Sequence, residues 1–480
     1  MPARFLLRIM GKWRDRTGAL DIQRGTPFGD EIAAKSAERV WRLIMRPHPE
    51  SELSRRNFVL TAAAAGLASF AIRPRSSLAA IVRTDVASLP AYGNGTLPSG
   101  IRSRTVSDLN GLDVHLLESG FDPAGRPAVL LLHGFPELAY SWRKVMLPLA
   151  AAGYHVMDPD RRGFGRTTGW DDAYDGDLDP FGSLNQVRDA LALVSAFGYR
   201  SVSAVVGHDL GSRIAAWCSL IRPDVFRSVV MMSAPFPGPP TLPFNSADHT
   251  KPNASAEMSS GKTIDEQLAA LDPPRKYYQR YYTTRAANAD MQNAPQGLHA
   301  FLRAYYHVKS ADWKQNNPFP LKANTAEERA KMPTYYVMDL DKGMAETVAS
   351  QMPSASEIAA CKWLTEDELR VYAAEYARTG FQGGLQVYRT YFDSKLIAEL
   401  RLFSDRTIDV PSCFIAGKSD WGVYQTPGAL ETMRSRVCTE MRGVHLIEGA
   451  GHWVQQEQPE RVSELLVQFL KEHASRDDKT

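Results

Sequence analysis

Between Ala128 and Met232 the chain alternates short, wholly apolar runs with longer segments in which apolar residues return every three or four positions. Ala128-Val-Leu-Leu-Leu132 has no polar member, the pattern of a strand buried on both faces. "LAYSWRKVMLPLAAAG" repeats at helical spacing and stops at Gly153; "YHVMDPD" is strand-like again, and "SLNQVRDALALVSAFG" is helical. Ser201–Val206, an apolar helical run from Leu210 and "RSVVMM" continue the alternation. Upstream, two extended runs flank Asn110-Gly111, a strong hairpin signal. This order predicts an α/β fold: a mostly parallel sheet with helices on both faces.

The alternation stops at "PFPGPPTLPF". From Pro237 to Arg406 the chain is polar, Tyr-rich and helical in flavour, without buried-strand runs. Sheet-like runs resume at "VPSCFIAG" and "GVHLIEGAG", and "PERVSELLVQFLKEH" reads as a closing amphipathic helix. An insertion that returns the chain to the same sheet predicts a mainly helical cap over the sheet's carboxyl edge, where α/β sites lie. The expected organisation is an N-terminal extension (1–80), a Pro/Gly/Ser-rich linker or arm (81–100), a core in two parts (101–236 and 407–480) and a cap (237–406).

Composition narrows the classes. The chain has 480 residues, 44% hydrophobic and 23% charged, with a formal net charge of +2. That balance argues against disorder and against a nucleic-acid footprint. "SELSRRNFVLTAAAAGLASFAIRPRSSLAA" resembles a twin-arginine export signal, with Arg55 and Arg56 before an apolar stretch from Val59 to Ile72. The stretch is shorter than the roughly 20 residues that span a bilayer, so no stable membrane span is expected. Cleavage near Ala79 and a periplasmic or secreted mature chain are the expectation, with Met45 an alternative start. The four cysteines (218, 361, 413 and 438) show no metal-ligand spacing; Cys413 and Cys438 are the one pair open to bridging.

The chemistry centres on Gly207-His-Asp-Leu-Gly211. A strand enters this G-x-x-x-G turn and a helix leaves it, the bend that exposes a nucleophile at the top of an α/β sheet. Asp209 occupies the place where such a turn often carries serine. After a nucleophile, the chain order calls for an acid and then a histidine. Asp420 follows the strand in "FIAGKSDWG", and His452 sits in the Gly-rich turn "GAGHWVQQEQPE"; the other acid position, after "VVMM", holds Ser233-Ala-Pro. A serine attacking a saturated carbon would leave an inert ether. A carboxylate leaves an alkyl ester, which water activated by His452 can hydrolyse. The backbone N–H groups of Phe135 and Leu210 are the candidate oxyanion donors.

"LLHGFPELAYSWR", "VVGHDLGSRIA", "DWGV" and "GAGHWVQQEQPE" resemble the epoxide-hydrolase branch of the α/β-hydrolase superfamily, over roughly residues 101–470. "GGLQVYRTYF" is similar to the family's second cap-tyrosine motif, at Tyr388; "PPRKYYQRYYTTR" is similar to the first, most naturally at Tyr278, with Tyr277, Tyr281 and Tyr282 as alternatives. The resemblance implies that a small-molecule epoxide and water yield a vicinal diol without cofactor or metal, the phenols donating to the epoxide oxygen. Trp142, Gln279 and Trp453 are candidate pocket residues. A haloalkane or haloacetate dehalogenase with the same triad is the nearest rival; Leu210 and a lone Arg213 count against it. A non-catalytic ligand-binding homologue is the other. His133 and His208 read as structural, Glu137 as an orienter of the oxyanion loop or a helix cap, and Asp160 as a turn-former. The stretch "NNPFPLKANTAEERAKMPTYYVMDLDKGMAETVASQ" makes the cap long and is expected to narrow or redirect the pocket.

Overall fold

Apolar strands with no polar face can be satisfied only in the middle of a covered sheet, and that is where the longest such runs lie. The computed structural model describes residues 86–242 and 263–473. Eight strands form one sheet: β1 (Arg102–Leu109), β2 (Leu112–Ser119), β3 (Ala128–Leu132), β4 (His155–Pro159), β5 (Ala204–His208), β6 (Val229–Met232), β9 (Ser412–Gly417) and β10 (Met441–Ile447). Their spatial order is β1-β2-β4-β3-β5-β6-β9-β10. β1 and β2 form the antiparallel hairpin around Asn110-Gly111, and β2 pairs antiparallel with β4. Every pairing from β4 through β10 is parallel. In β3, β5 and β6 every residue is buried, each Val or Leu adding roughly 1.5–3 kcal/mol through its removal from water.

Helices Arg143–Ala151, Ser183–Ala196, Leu210–Ile221 and Pro459–His473 belong to the core. Each reads as amphipathic in the sequence except Leu210–Ile221, which is buried nearly all round. Between β6 and β9 the chain forms helices, among them Leu298–Lys309, Glu366–Thr379 and Gln382–Thr390. One feature there departs from the sequence reading: β7 (Arg275–Tyr277) and β8 (Val337–Asp339) pair as a short antiparallel ribbon. Three residues per strand carry too little periodicity to register in a Tyr-rich stretch. The ribbon matters because it ties the strand before Tyr278 to the segment after Tyr336, whose carbonyl accepts the Tyr278 N–H at 2.9 Å.

The stretch 86–100 packs as an arm. Tyr92 is buried and its hydroxyl donates to Asp160 Oδ1 at 3.4 Å, while Arg166 donates to the Pro90 carbonyl at 2.8 Å. The arginine-pair segment and the Ala79 site lie outside the described residues. All four cysteines are free, Cys413 and Cys438 included. Among the described residues no helix is long and apolar enough to cross a membrane, and no group of three or more His, Cys, Asp and Glu side chains is placed to hold a metal ion.

Candidate active site

The turn after β5 is built by two glycines that tolerate no side chain. A Cβ on Gly207 would lie 2.1 Å from the Gly211 carbonyl oxygen, and one on Gly211 would lie 2.1 Å from that of Leu132. This crowding lets the strand reverse into the helix within a few residues. Asp209, between them, takes φ 51° and ψ −114°, a conformation that costs a non-glycine residue of order 1–3 kcal/mol. It is held there by its N–H to the Met232 carbonyl (3.1 Å) and by its own carbonyl, which accepts the Ser212 N–H (3.1 Å). The strain projects the carboxylate off the sheet edge.

Three other loops meet it. The Phe135 N–H donates to Asp209 Oδ2 at 3.0 Å. This contact depends on Gly134, whose Cβ would come within 2.5 Å of Asp209 Cβ and 2.7 Å of Oδ2. Leu210 opens the helix at the same turn, so its N–H is one of the first-turn donors without an intrahelical acceptor. His452 Nε2 stands 3.8 Å from Asp209 Oδ1, and His452 Nδ1 stands 3.2 Å from each oxygen of Asp420. Both residues are buried, His452 at 2% exposure and Asp420 at 1%. Burial pushes the Asp420 carboxyl up, but the imidazole, the Gly422 N–H and the Ser233 hydroxyl outweigh it and hold it below the ordinary carboxylate range. Nδ1 therefore donates to Asp420, and Nε2, which makes no hydrogen bond among the described residues, faces Asp209.

The cap supplies the phenols. Tyr388 is buried against Phe135 (ring centroids 5.5 Å apart), Tyr282 (5.0 Å) and Tyr278 (6.2 Å), and its hydroxyl makes no hydrogen bond among the described residues. Tyr278 donates to Gln425 Oε1 at 3.1 Å and accepts the Gln279 amide at 3.1 Å. Burial pushes both phenols well above their ordinary range, and the Asp209 carboxylate pushes each further. The alternatives in the first cluster are engaged as well: Tyr277 shares Gln425 Oε1 with Tyr278 (3.0 Å) and lies under Arg329, Tyr281 donates to Asp290 at 3.0 Å, and Tyr282 bonds Tyr305 at 3.0 Å. Tyr278, unlike these three, is among the phenols that the Asp209 carboxylate raises. Trp453 is fully buried, its indole N–H donating to the Tyr306 carbonyl and its ring set edge-on to His452 at 4.7 Å. Trp142 is fully buried as well, but among the described residues no ring contact or hydrogen bond joins it to this group and its indole N–H has no partner.

Several residues that read as structural in the sequence form a second layer. Glu137 accepts the Gly134 N–H (3.0 Å), lies 2.6 Å from His208 Nδ1, and accepts the Gln455 and Gln456 amides (2.8 and 3.2 Å). His208 Nε2 meets the His452 carbonyl at 2.7 Å. A carboxylate and a carbonyl both accept, so both nitrogens of His208 carry protons. Burial alone would lower this imidazole, yet Glu137 and Asp209 raise it to about 9. Asp160 is more than a turn-former: it accepts from the backbone of Ala139 and Arg166 (2.9 Å each) and lies 2.7 Å from His115. Arg213 stacks on Tyr391, its guanidinium carbon 4.2 Å from the ring centroid. Glu457 holds the histidine turn through the N–H groups of Gly451 and Trp453 and reaches Ala311 in the cap (2.9, 3.0 and 2.8 Å). Its signal in the sequence was only the acid in "HWVQQEQ", which does not reveal what it accepts.

The chain is similar in sequence and fold to known proteins. The model for the α/β hydrolase fold matches residues 127–459. The chain is 30% identical over 392 residues to epoxide hydrolase A of Mycobacterium tuberculosis, covering 77% of this chain and 98% of that one. It is 31% identical over 367 residues to an epoxide hydrolase of Caballeronia sordidicola, covering 75% and 92%. Among solved structures, an epoxide hydrolase from an endophytic Streptomyces superposes with a TM-score of 0.61 at 29% identity, covering 78% of this chain and 96% of the other. The potato epoxide hydrolase I superposes with a TM-score of 0.57 at 28% identity, covering 78% and 99%.

Proposed function

The chain belongs to the α/β hydrolase fold family, and from that premise we propose that it is an epoxide hydrolase working through an alkyl ester on Asp209. The observation that carries the reading is a carboxylate, in place of an alcohol, at the strained elbow and, 3.8 Å away, a histidine ring nitrogen that makes no hydrogen bond among the described residues. Asp209 Oδ1 attacks a ring carbon and its C–O bond breaks. Tyr388 and Tyr278 bind the departing oxygen and one of them gives it a proton. Their burial keeps the phenols protonated until that moment, when the developing alkoxide is basic enough to take the proton.

Oδ2, already bonded to the Phe135 N–H, becomes the carbonyl oxygen of the ester. Water then attacks that carbonyl carbon as His452 Nε2 takes its proton, with Asp420 stabilising the imidazolium. The Phe135 and Leu210 N–H groups hold the oxyanion. Collapse frees the diol and regenerates the carboxylate, and the proton on His452 replaces the one lost from the phenol. Epoxide and water are consumed and a vicinal diol is made. Leu210 at the elbow and Arg213, stacked on Tyr391, count against a dehalogenase.

A single turnover in ¹⁸O water tests the route. Label is expected in the Asp209 carboxylate and not in the diol; label entering the diol directly overturns it. Export through the arginine-pair segment belongs to the same proposal, and N-terminal sequencing of the secreted or periplasmic chain, expected to begin near residue 80, tests it.

A further inference from the structure

Helix Leu298–Lys309 ends on a lysine that is 4% exposed. The Lys309 carbonyl accepts the His452 N–H at 2.8 Å, which fixes its backbone against the histidine turn. The ammonium lies in a box of five rings. Tyr336 is 5.0 Å from Nζ, Tyr305 5.1 Å, Tyr278 5.6 Å, and Tyr335 and Trp453 5.9 Å each. Among the described residues no carboxylate lies within ion-pair distance of Nζ and Nζ makes no hydrogen bond. The other buried cations differ. Arg143, Arg162 and Arg303 are ion-paired, and Arg161 is hydrogen-bonded to the His133 carbonyl.

Aromatic faces within about 6 Å attract a cation, but they do not replace a counter-ion. A largely buried ammonium without a counter-ion in contact is unfavourable, and an anion entering the box would supply one. The box also borders the reaction centre. Tyr278 is one of the two candidate proton donors, and Trp453 follows His452. Tyr335 and Tyr336 come from the long cap stretch expected from the sequence to narrow or redirect the pocket. Asn316, from the same stretch, accepts the Tyr335 hydroxyl at 2.6 Å and so braces that wall.

We propose that Lys309 and its ring box form a subsite for a carboxylate borne by the substrate, making compact epoxy acids the preferred substrate class. The inference rests on the epoxide-hydrolase reading for the word epoxy, and on the box alone for the carboxylate. Tyr278 belongs to both places: its hydroxyl to the donor pair, its ring to the ammonium's wall. That sharing limits the spacer between acid and ring oxygen to a few bonds. The remaining rings give the spacer an apolar surface.

Binding and turnover test it separately. Butanoate and its methyl ester are titrated into wild type, Lys309→Met and Lys309→Arg, with folding checked by thermal unfolding. The expected result is butanoate binding at least about tenfold tighter than the ester in wild type, lost in Lys309→Met and largely kept in Lys309→Arg. No butanoate binding, or binding that Lys309→Met leaves unchanged, overturns the subsite whether or not epoxides react. In turnover, 3,4-epoxybutanoate is expected to exceed its methyl ester in kcat/KM by at least about tenfold, a ratio that falls towards one in Lys309→Met. Equal turnover of acid and ester by wild type overturns the subsite and leaves the epoxide-hydrolase reading standing. Intact butanoate binding with no turnover of either epoxide supports the subsite and counts against that reading.

Discussion

His452 Nε2 faces Asp209 Oδ1 across 3.8 Å, beyond a direct hydrogen bond, while its Nδ1 is held by both oxygens of Asp420 at 3.2 Å. An imidazole set back in this way does not tie up the nucleophile, and it stands where a water attacking an Asp209 ester would need its base. His452→Gln is therefore expected to make the ester and stall. Intact-protein mass spectrometry after mixing with epoxide should show one substrate mass added per chain, with steady turnover down by about 10³-fold or more. A variant that turns over normally, or never gains mass, contradicts the division of labour.

The two phenols differ in their engagement, and the difference is measurable. Among the described residues Tyr388 has no hydrogen-bond partner to give up, whereas Tyr278 must release Gln425. Tyr388→Phe is expected to lower the rate of ester formation by about 10²-fold, and Tyr278→Phe by less. The double variant should lose more than either single one. Pre-steady-state rates of ester formation provide the check. Tyr281→Phe, by contrast, removes a bond to Asp290 and should leave that rate within a few-fold of wild type.

Gly134 tests the oxyanion loop through the backbone. A methyl group there would overlap Asp209 Cβ at 2.5 Å, so the Phe135 loop or the carboxylate has to move. Gly134→Ala is expected to cost about 10²-fold or more in kcat, the scale of losing an oxyanion donor. Chemical denaturation and turnover, measured together, separate lost geometry from lost fold.

The Glu137–His208 pair sets a pH dependence of stability. The imidazole is raised to about 9 in the fold, against about 6.5 for a free histidine. The extra proton affinity stabilises the fold fully below about pH 6.5, and that contribution is lost as the pH rises through about 9. Unfolding free energy from urea titrations should fall by a few kcal/mol across this window. Glu137→Gln should flatten that slope and lower stability at pH 6 by about 3–5 kcal/mol, the scale of breaking a buried pair. A slope unchanged in Glu137→Gln would remove the pair as its cause.

How far the sequence could be read follows from the range of each interaction. The apolar runs of β3, β5 and β6 announce buried parallel strands because burial on both faces leaves no polar position to interrupt them. Asp209, Asp420 and His452 could be singled out because each follows a strand in a fixed chain order. Arg213 and Asp160 show the limit: their residue types were plain, but their partners lie far away in the chain, on Tyr391 and on His115 and Ala139.

What the chain alone determined was therefore local and periodic: the strand–helix alternation, the hairpin at Asn110-Gly111, and a bend that only glycines at 207 and 211 can make. What each phenol of the cluster at 277–282 is bonded to, why His208 carries two protons, and where the Lys309 ammonium ends were decided by tertiary packing. Each depends on groups brought together from distant parts of the chain, Glu137 with His208 and Gln455, Lys309 with Tyr278 and Trp453. Charge and hydrogen bonding act over a few ångströms of space, and spacing along a sequence does not encode that distance.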